Sequence, residues 1–303
     1  MLNVIHLPNL SPEIFTVDIG VMSFTLRWYA VAYIVGLLSA WQIIVRMIAQ
    51  PSLWKNKVAP MTKDHPEQLL TWMIFGVIIG GRLGFVLFYQ ANYYLHNPLE
   101  IPMVWKGGMS FHGGFIGVII SGFIFCHKNK LSILSVGDLI AVTTPIGLFL
   151  GRIANFINGE LFGKPSSLPW AVIFPNQNNQ DCGINFLEIC SRHPSQLYEA
   201  LFEGLILGLL LFWGAFFKSW LKLPGLSIGI FFTGYGISRC FIELFRQPDY
   251  YYVTALNPSG YMVQISNWGF SSGQVLSIPM IIIGIAIMTK VIKIKCTRFQ
   301  LFS

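Results

Sequence analysis

Charged and titratable side chains stand inside long apolar stretches of this 303-residue sequence. They are Arg27, Tyr29, Arg82, His112, Asp138, Arg152, Glu199, Glu203, Arg239 and Glu243. Arginine presents a planar fork of donors to carboxylate or phosphate oxygens, and histidine exchanges a proton near neutral pH. A set of these residue types favours binding of an anion, with proton transfer close by.

The composition predicts that lipid surrounds these side chains. Hydrophobic residues make up 54% of the chain and charged residues 11%, less than half of the roughly 25% found in soluble domains. This excludes a disordered chain, a collagen, a coiled coil and an ordinary soluble enzyme. An arginine at the middle of a bilayer costs at least about 2.5–3.5 kcal/mol on insertion scales, so such charges need partners, water or a function.

Seven apolar runs approach or exceed the roughly 20 helical residues that cross about 30 Å of hydrocarbon. They are Val21–Ile48, Leu69–Tyr89, Gly108–Cys126, Ile133–Leu150, Leu197–Phe217, Gly225–Phe245 and Gln274–Thr289. We predict an all-α polytopic membrane protein with about seven transmembrane helices, forming a single integral membrane domain over 1–303. The stretch 153–196 mixes aromatic residues with Gly, Pro and Asn, which predicts a small packed head between runs four and five.

Lysines and arginines predict the orientation, because cytoplasmic loops carry an excess of them. One side of the membrane collects Arg46, Lys55, Lys57, Lys63, Lys128, Lys130, Lys218, Lys222, Lys290, Lys293, Lys295 and Arg298. The other side collects Lys106, Lys164, Arg192 and Arg246. The N-terminus is therefore expected outside and the C-terminus in the cytoplasm. The net charge of +7 is mostly this topology signal and calls for no nucleic-acid partner.

The predicted orientation places nearly all of the buried polar residues in the outer half of the bilayer. Tyr29 and His112 follow the outer starts of their runs, Arg239 precedes the outer end of run six, and run four ends outside at Arg152. Asp138 falls near the inner end of its run. Arginines with a histidine and a tyrosine in one leaflet suit the phosphate of a phospholipid that enters from that leaflet.

Several of these residues also have a purely structural interpretation. Arg239 and Glu243 are four residues apart and can pair on one helix face. Glu199 and Glu203 share a face in the same way and can neutralise Arg82 or Arg152. Arg27 can extend its side chain to the membrane surface.

Glycine-rich motifs mark where helices approach or end. Ser110–Gly117 (SFHGGFIG) opens run three, and Gly151–Gly163 (GRIANFINGELFG) leads from run four into the outer loop. Glycines spaced four apart at Gly76, Gly80 and Gly84 predict close helix packing.

Four motifs resemble the prolipoprotein diacylglyceryl transferase family of bacteria: SFHGGFIG, GRIANFINGELFG, RHPSQLYEALFEG and GYGISRCFIELFRQPD. The resemblance covers essentially the whole chain. It implies a multi-pass enzyme of the bacterial inner membrane, with the N-terminus, the head and the active site on the periplasmic side. It implies transfer of the diacylglyceryl group from phosphatidylglycerol to the lipobox cysteine of a preprolipoprotein signal peptide, with glycerol phosphate as by-product. No cofactor or metal is expected.

The resemblance also implies which residues act. Those assigned to catalysis are His112, Arg239 and Tyr29, and those assigned to phosphatidylglycerol binding are Arg152, Asn155, Glu160, Gly163, Tyr235 and Glu243. Arg27 stands where a histidine is expected, so it receives no catalytic role. Cys182 and Cys190 are not part of the family pattern, but both fall in an outer loop, where a disulfide is open to them.

The implied reaction is attack of a thiol on the glycerol carbon that bears the phosphate ester. It is helped by a base for the thiol proton, whose ordinary pKa is about 8.5, and by fixed positive charge on the leaving phosphate. His112 is the best base by residue type, although a lipid-anchoring role is equally open. Arg152 and Arg239 are the best phosphate ligands, with Asn155 and Tyr29 orienting them.

A transporter or channel is the alternative function, since intramembrane charges also mark ion pathways. Clustering of the charges in one leaflet counts against it, as does the lack of an inverted sequence repeat. A structural protein that uses Arg–Glu pairs to join helices is a third possibility.

Overall fold

A computed structural model describes residues 5–8, 10–20, 22–175, 190–248, 252–254, 257–266 and 268–300. The α-helices are α1 (Trp28–Ile48), α2 (His65–Phe88), α3 (Ala91–His96), α4 (Phe111–Lys128), α5 (Ile133–Ile157), α6 (Ser195–Glu199), α7 (Leu207–Phe217), α8 (Leu226–Ile242) and α9 (Ser272–Gln300). A π-helical segment, Ala200–Ile206, joins α6 to α7. Short 3₁₀ turns lie at Pro51–Leu53, Lys55–Lys57, Pro98–Glu100, Val104–Lys106 and Trp220–Lys222.

Short two-stranded sheets accompany the helices, so the prediction of an all-α fold is corrected to a mostly helical one. The strands are β1 (Ile5–His6), β2 (Glu13–Ile19), β3 (Met22–Arg27), β4 (Val172–Ile173), β5 (Val263–Ile265) and β6 (Trp268–Phe270). β1 pairs in parallel with β4, whereas β2 with β3 and β5 with β6 form antiparallel hairpins.

The first apolar run begins later as a helix than its hydropathy suggested. Residues Met22–Arg27 form strand β3, with Thr16 opposite Thr25 in the hairpin, and α1 starts only at Trp28. Polar and apolar residues alternate through Met22–Arg27, which is the period of a strand. The mean hydropathy of a segment long enough to span a membrane does not show this alternation, so Met22–Arg27 was predicted as part of the first span.

Among the described residues, five helices are long and apolar enough to cross a membrane, which makes this a polytopic membrane protein. They are Trp28–Ile48, His65–Phe88, Ile133–Ile157, Ser195–Phe217 and Ser272–Lys293. They coincide with runs one, two, four, five and seven of the sequence. The apolar helices at runs three and six are shorter, His112–Lys128 and Leu226–Ile242.

The chain forms two compact units, of which the smaller comprises Trp41–Leu139. In it α2 packs directly on α4. A Cβ atom added to Gly80 would lie 2.8 Å from the Cα atom of Gly117, and one added to Gly84 would lie 3.2 Å from the backbone nitrogen of Gly113. Side chains at these positions would push the two backbones apart, so the prediction of glycine-mediated packing is confirmed.

The larger unit comprises Met1–Ala40 and Ile140–Ser303. Here α8 packs on α9, and a Cβ atom added to Gly229 would lie 2.9 Å from the carbonyl oxygen of Gly284. The π-helical segment lies against α5, since a Cβ atom added to Gly204 would be 2.8 Å from the Cα atom of Phe149. The residue before Gly204 is therefore held close to α5.

The described cysteines include one in a disulfide bond and two with free thiols. Cys190 is disulfide-bonded, while Cys126 and Cys240 are free. Cys182 lies outside the described residues, so the predicted option of a Cys182–Cys190 bridge stays a prediction.

Candidate functional site

Three arginines and three glutamates of the larger unit meet where α5, α6 and α8 come together. We call them the arginine–glutamate cluster: Arg152, Glu199, Glu203, Arg239, Glu243 and Arg246. Arg152 projects from the last turns of α5, and Glu199 ends α6. Arg239 lies in the last turn of α8, so helices far apart in sequence supply one site.

Glu199 is the centre of the cluster. Its side chain is 0% exposed, and its carboxylate contacts all three arginines. The distance to Arg152 Nε is 3.2 Å and that to Arg246 Nη1 is 3.0 Å, and Arg239 Nη1 also donates to it. Arg239 and Arg246 donate charge-assisted hydrogen bonds to Glu199, whereas Arg152 forms an ion pair with it that is not a hydrogen bond. Charge-assisted hydrogen bonds are stronger than neutral ones, so Glu199 fixes the positions of these guanidinium groups.

Glu243 and Glu203 complete the ion pairs in different ways. Glu243 Oε2 lies 3.3 Å from Arg239 Nη2 and 3.7 Å from Arg246 Nε, which confirms the predicted pairing of Arg239 with Glu243 along one helix. Glu203 lies further from its partners, 3.8 Å from Arg152 Nη2 and 3.9 Å from Arg239 Nη1. The predicted neutralisation of Arg152 by Glu199 and Glu203 is confirmed.

The arginines are less buried than the carboxylates that hold them. The side chains of Arg152, Arg239 and Arg246 are 18%, 14% and 12% exposed, whereas those of Glu199 and Glu203 are 0% exposed. The carboxylates are therefore buried more deeply than the arginine side chains, which keep a small exposed fraction. Such an arrangement presents fixed donors to an anion without needing to rearrange when it binds.

A hydrogen-bond network extends from Arg152 to the start of α1. Arg152 Nη1 lies 3.5 Å from Asn155 Oδ1, and Asn155 Nδ2 donates to the Tyr29 hydroxyl. The Tyr29 hydroxyl in turn donates to Glu160 Oε1 at 2.5 Å. Asn158 Nδ2 donates to the same carboxylate oxygen at 3.0 Å. Tyr29, Asn155 and Glu160 thus form one unit beside the arginine–glutamate cluster.

The loop after α5 is fixed by the start of α6. Gln196 Nε2 donates to the Glu160 carbonyl oxygen at 2.6 Å, and Ser195 Oγ donates to the Leu161 carbonyl oxygen at 3.1 Å. Gly163 lies where a side chain has no room, because a Cβ atom there would be 2.7 Å from His193 Cβ. Close packing of backbone segments thus favours glycine at this position, while its predicted role in lipid binding stays a prediction.

Tyr235 and His112, which are also predicted site residues, belong to different units of the molecule. Tyr235, on α8, interacts electrostatically with Glu203, Arg239 and Arg152. His112 belongs to the smaller unit, where it follows the first residue of α4 and has an exposed side chain. The N-cap of α4 is Ser110, whose hydroxyl accepts a hydrogen bond from the Gly113 backbone nitrogen at 3.2 Å.

A small cavity adjoins the cluster. It has a volume of about 120 Å³, and its lining includes Glu243, Arg246, Lys164, Gln274 and Tyr261. It shares Lys164 and Tyr261 with a larger cavity of about 350 Å³. Residues of the segments that follow α5 and α8 contribute to the lining of both cavities.

Arg246, Glu199 and Glu203 are members of the cluster that the sequence did not assign to the site. Arg246 had been counted only as an outer-loop charge, yet it contacts Glu199 and Glu243. The sequence carried no helical signal for this contact, because Arg246 lies beyond the end of α8 at Ile242.

The chain is similar to proteins of one named family. The chain matches the family model described as prolipoprotein diacylglyceryl transferase over residues 16–290. It is 52% identical over 287 residues to a protein of Roseobacter denitrificans named phosphatidylglycerol–prolipoprotein diacylglyceryl transferase, which covers 94% of this chain and 97% of the relative. Proteins of the same name from Rhodospirillum rubrum and Rhizobium meliloti are 45% and 43% identical, covering 95% and 94% of this chain and 94% and 93% of their own lengths. The chain therefore belongs to the prolipoprotein diacylglyceryl transferase family.

Proposed function

We propose that this chain transfers the diacylglyceryl group of phosphatidylglycerol to the lipobox cysteine thiol of preprolipoproteins, forming a thioether and releasing glycerol phosphate. It is thus a phosphatidylglycerol–prolipoprotein diacylglyceryl transferase, an enzyme of lipoprotein biosynthesis. The observation that carries the proposal is that Arg152 and Arg239, the predicted phosphate ligands, meet in one buried cluster of a chain of this family.

The arginines bind the phosphodiester. Arg152 and Arg239 are held from behind by Glu199, so their remaining donors can meet the two free phosphate oxygens. As the bond from the glycerol carbon to the phosphate oxygen breaks, negative charge grows on the phosphate, and fixed guanidinium groups stabilise it. Arg246 and the adjoining cavity of about 120 Å³ provide space for the polar glycerol head group.

The hydrogen-bonded unit of Tyr29, Asn155 and Glu160 positions the lipid. Asn155 accepts from Arg152 and donates to Tyr29, so it couples the arginine to the hydroxyl. The phosphatidylglycerol site is completed by Glu160, Tyr235, Gly163 and Glu243. Tyr29 and Arg239 act on the reacting groups themselves.

His112 is the base that takes the thiol proton in this proposal. The thiolate is the nucleophile, and at neutral pH most of a free thiol is protonated, since its ordinary pKa is about 8.5. An imidazole accepts that proton at neutral pH. The thiolate then attacks the glycerol carbon, the new sulfur–carbon bond forms, and the carbon–oxygen bond to phosphate breaks.

The proposed setting is the bacterial inner membrane. We propose seven spans, in which α4 and α8 cross together with the five longer helices, the N-terminus in the periplasm and the C-terminus in the cytoplasm. The segment 153–196 then forms a periplasmic head on a single integral membrane domain. Reporters fused to each terminus test this: a periplasmic signal at the C-terminus would contradict it.

Purified protein tests the activity most simply. It is supplied with phosphatidylglycerol and a peptide that contains a lipobox, and the peptide is weighed by mass spectrometry. The expected result is a mass gain of one diacylglyceryl group together with release of glycerol phosphate. A peptide with serine in place of the lipobox cysteine is the matched control and is expected to stay unmodified. No mass gain with the cysteine peptide, in lipid that keeps the protein folded, would contradict the proposal.

A further inference from the structure

Glu203 is the member of the arginine–glutamate cluster that the proposed mechanism leaves without a task. Its side chain is fully buried, and neither carboxylate oxygen accepts a hydrogen bond from any described residue. The nearest guanidinium nitrogens are 3.8 and 3.9 Å away, which is beyond hydrogen-bond distance. A buried carboxylate in this position lacks the compensation that buried charges normally have.

The backbone around Glu203 is also unusual. It lies in the π-helical segment Ala200–Ile206, and π-helical turns are frequent at functional sites. Gly204 packs closely against Phe149 of α5, which holds the backbone next to Glu203 close to that helix. Glu199, one turn earlier, differs because it makes direct contacts with three arginines.

The charges of the cluster indicate why such a group is present. Its three arginines are balanced by three glutamates, so the site has no net positive charge when every carboxyl is ionised. A bound phosphodiester adds one negative charge, and displacement of its alkyl group turns the departing phosphate monoester into a dianion. A proton on the least compensated carboxyl balances the charge of the bound phosphodiester and is available to neutralise one charge of the departing dianion.

We infer that Glu203 is the proton donor to the departing phosphate, and this inference rests on the proposed transferase function. The thiolate sulfur forms a bond to the glycerol carbon, and the bond from that carbon to the phosphate oxygen breaks. The Glu203 carboxyl gives its proton to a phosphate oxygen and becomes a carboxylate. Glycerol phosphate then leaves as a monoanion, and the proton taken from the thiol is the one that, through solvent, restores Glu203. Protons and charges balance over the cycle.

The surroundings of Glu203 define the expected pH dependence. Arg152 of α5, Arg239 and Tyr235 of α8, Glu199 of α6 and the following Arg246 are the charged or titratable groups of the larger unit that act on it. Glu203 must be protonated to donate, so turnover falls as the pH rises through its titration. A variant that cannot titrate at this position lacks this alkaline decline.

The test compares Glu203→Gln with Glu199→Gln in the full-length protein. Glutamine mimics the size of a protonated carboxyl, so Glu203→Gln is expected to bind phosphatidylglycerol within threefold of wild type. Its turnover is expected to fall on the order of 10²-fold or more, the usual share of general acid catalysis, and its alkaline decline is expected to disappear. Glu199→Gln loses the group that fixes the arginines, so it is expected to lose lipid affinity as well.

A better leaving group gives the decisive readout. A phosphatidyl ester with a fluorinated head group releases a less basic phosphate that needs less help from a proton donor. Glu203→Gln is therefore expected to recover most of its lost turnover on this lipid relative to wild type. Unchanged turnover in Glu203→Gln, loss of lipid affinity equal to the loss of turnover, or no recovery on the fluorinated lipid would each overturn the inference. Failure of wild type to modify the peptide would instead contradict the proposed function itself.

Discussion

Buried arginines occur in both units of the molecule, but they are held in opposite ways. Arg82 of the smaller unit is 3% exposed and donates to the carbonyl oxygens of Glu100, Ile101, Gly107 and Gly108. Arg152, Arg239 and Arg246 of the larger unit pair with carboxylates and keep exposed edges. Neutral carbonyl groups that surround a guanidinium use its donors to fix a loop, whereas carboxylates behind it leave donors for a ligand.

The groups that surround a buried arginine therefore distinguish a structural role from a ligand-binding role more clearly than its depth in the membrane does. Arg82 closes the loop between α3 and α4 and also lies over the ring of Tyr94, 5.1 Å from its centroid. Those contacts explain its burial without a ligand. The arginines of the cluster pair with carboxylates instead, and these pairs join α5, α6 and α8 with the segments that follow α6 and α8.

The largest expected effect is on turnover, and it tests whether the smaller unit takes part in catalysis or only supports the structure. His112→Gln removes the proposed base and is expected to lower turnover on the order of 10²–10⁴-fold. Phosphatidylglycerol affinity should change little. Raising the pH should restore part of the rate, because more of the substrate thiol ionises unaided. A pH–rate profile beside lipid affinity decides this. If affinity falls as much as turnover and high pH restores nothing, His112 binds lipid or supports structure, and the base lies elsewhere.

Arg239→Lys tests the binding half of the contrast. Lysine keeps the charge but loses the fork that reaches Glu199, Glu243 and the phosphate together. Transfer is expected to fall about 10²–10³-fold, the range seen when one donor to a developing anion is removed. Transfer of diacylglyceryl to a lipobox peptide measures it. Near-normal activity would mean that the site needs only a positive charge.

Arg82→Lys tests the structural half. A lysine nitrogen has three donors at one point and cannot reach the spread of carbonyl groups that Arg82 serves, so at least one carbonyl oxygen loses its partner. We expect a loss of about 1–3 kcal/mol in the free energy of unfolding, with transfer by the folded fraction close to wild type. Thermal unfolding in detergent and specific activity per folded molecule are the measurements. Severe loss of activity without loss of stability would assign Arg82 to the site.

The smallest expected effect concerns the loop region near Gly163. Burial lowers the pKa of His193, and the nearby Lys164 lowers it further. The unfolded chain, with an ordinary histidine pKa near 6.5, then binds more protons than the folded one. This contribution to stability is present above that value and is lost as the pH falls through the lowered folded pKa. The melting temperature of His193→Gln should therefore fall less between pH 7.5 and pH 5 than that of wild type, and an equal fall would contradict the assignment.

Much of the fold follows from hydropathy, because the cost of leaving polar backbone in lipid makes long apolar helices the dominant signal. Five spans were predictable on that basis. The spacing of the glycines in α2 predicted separately that this helix packs closely on another. The β2–β3 hairpin was missed because its alternating residues look apolar on average. The π-helical segment around Glu203 was missed because no residue pattern distinguishes it from an α-helix.

Individual residues of the site were predictable from the sequence, but the network of ion pairs that joins them was not. The motif around Arg152, Asn155 and Glu160 carries enough polar residues to single it out, and the Arg239–Glu243 spacing predicts their pairing. The roles of Glu199 and Arg246 depend on three helices meeting, which is a long-range contact that spacing along one helix cannot show.

Phosphate recognition by the cluster is the claim on which the account depends most. The direct measurement is the affinity of wild type, Arg239→Lys and Arg82→Lys for phosphatidylglycerol and for the corresponding diacylglycerol, which lacks the phosphate. Wild type and Arg82→Lys are predicted to prefer phosphatidylglycerol to the same extent, and Arg239→Lys is predicted to lose at least tenfold of that preference, about 1.4 kcal/mol. An unchanged preference in Arg239→Lys, or an equal loss in Arg82→Lys, would contradict the account.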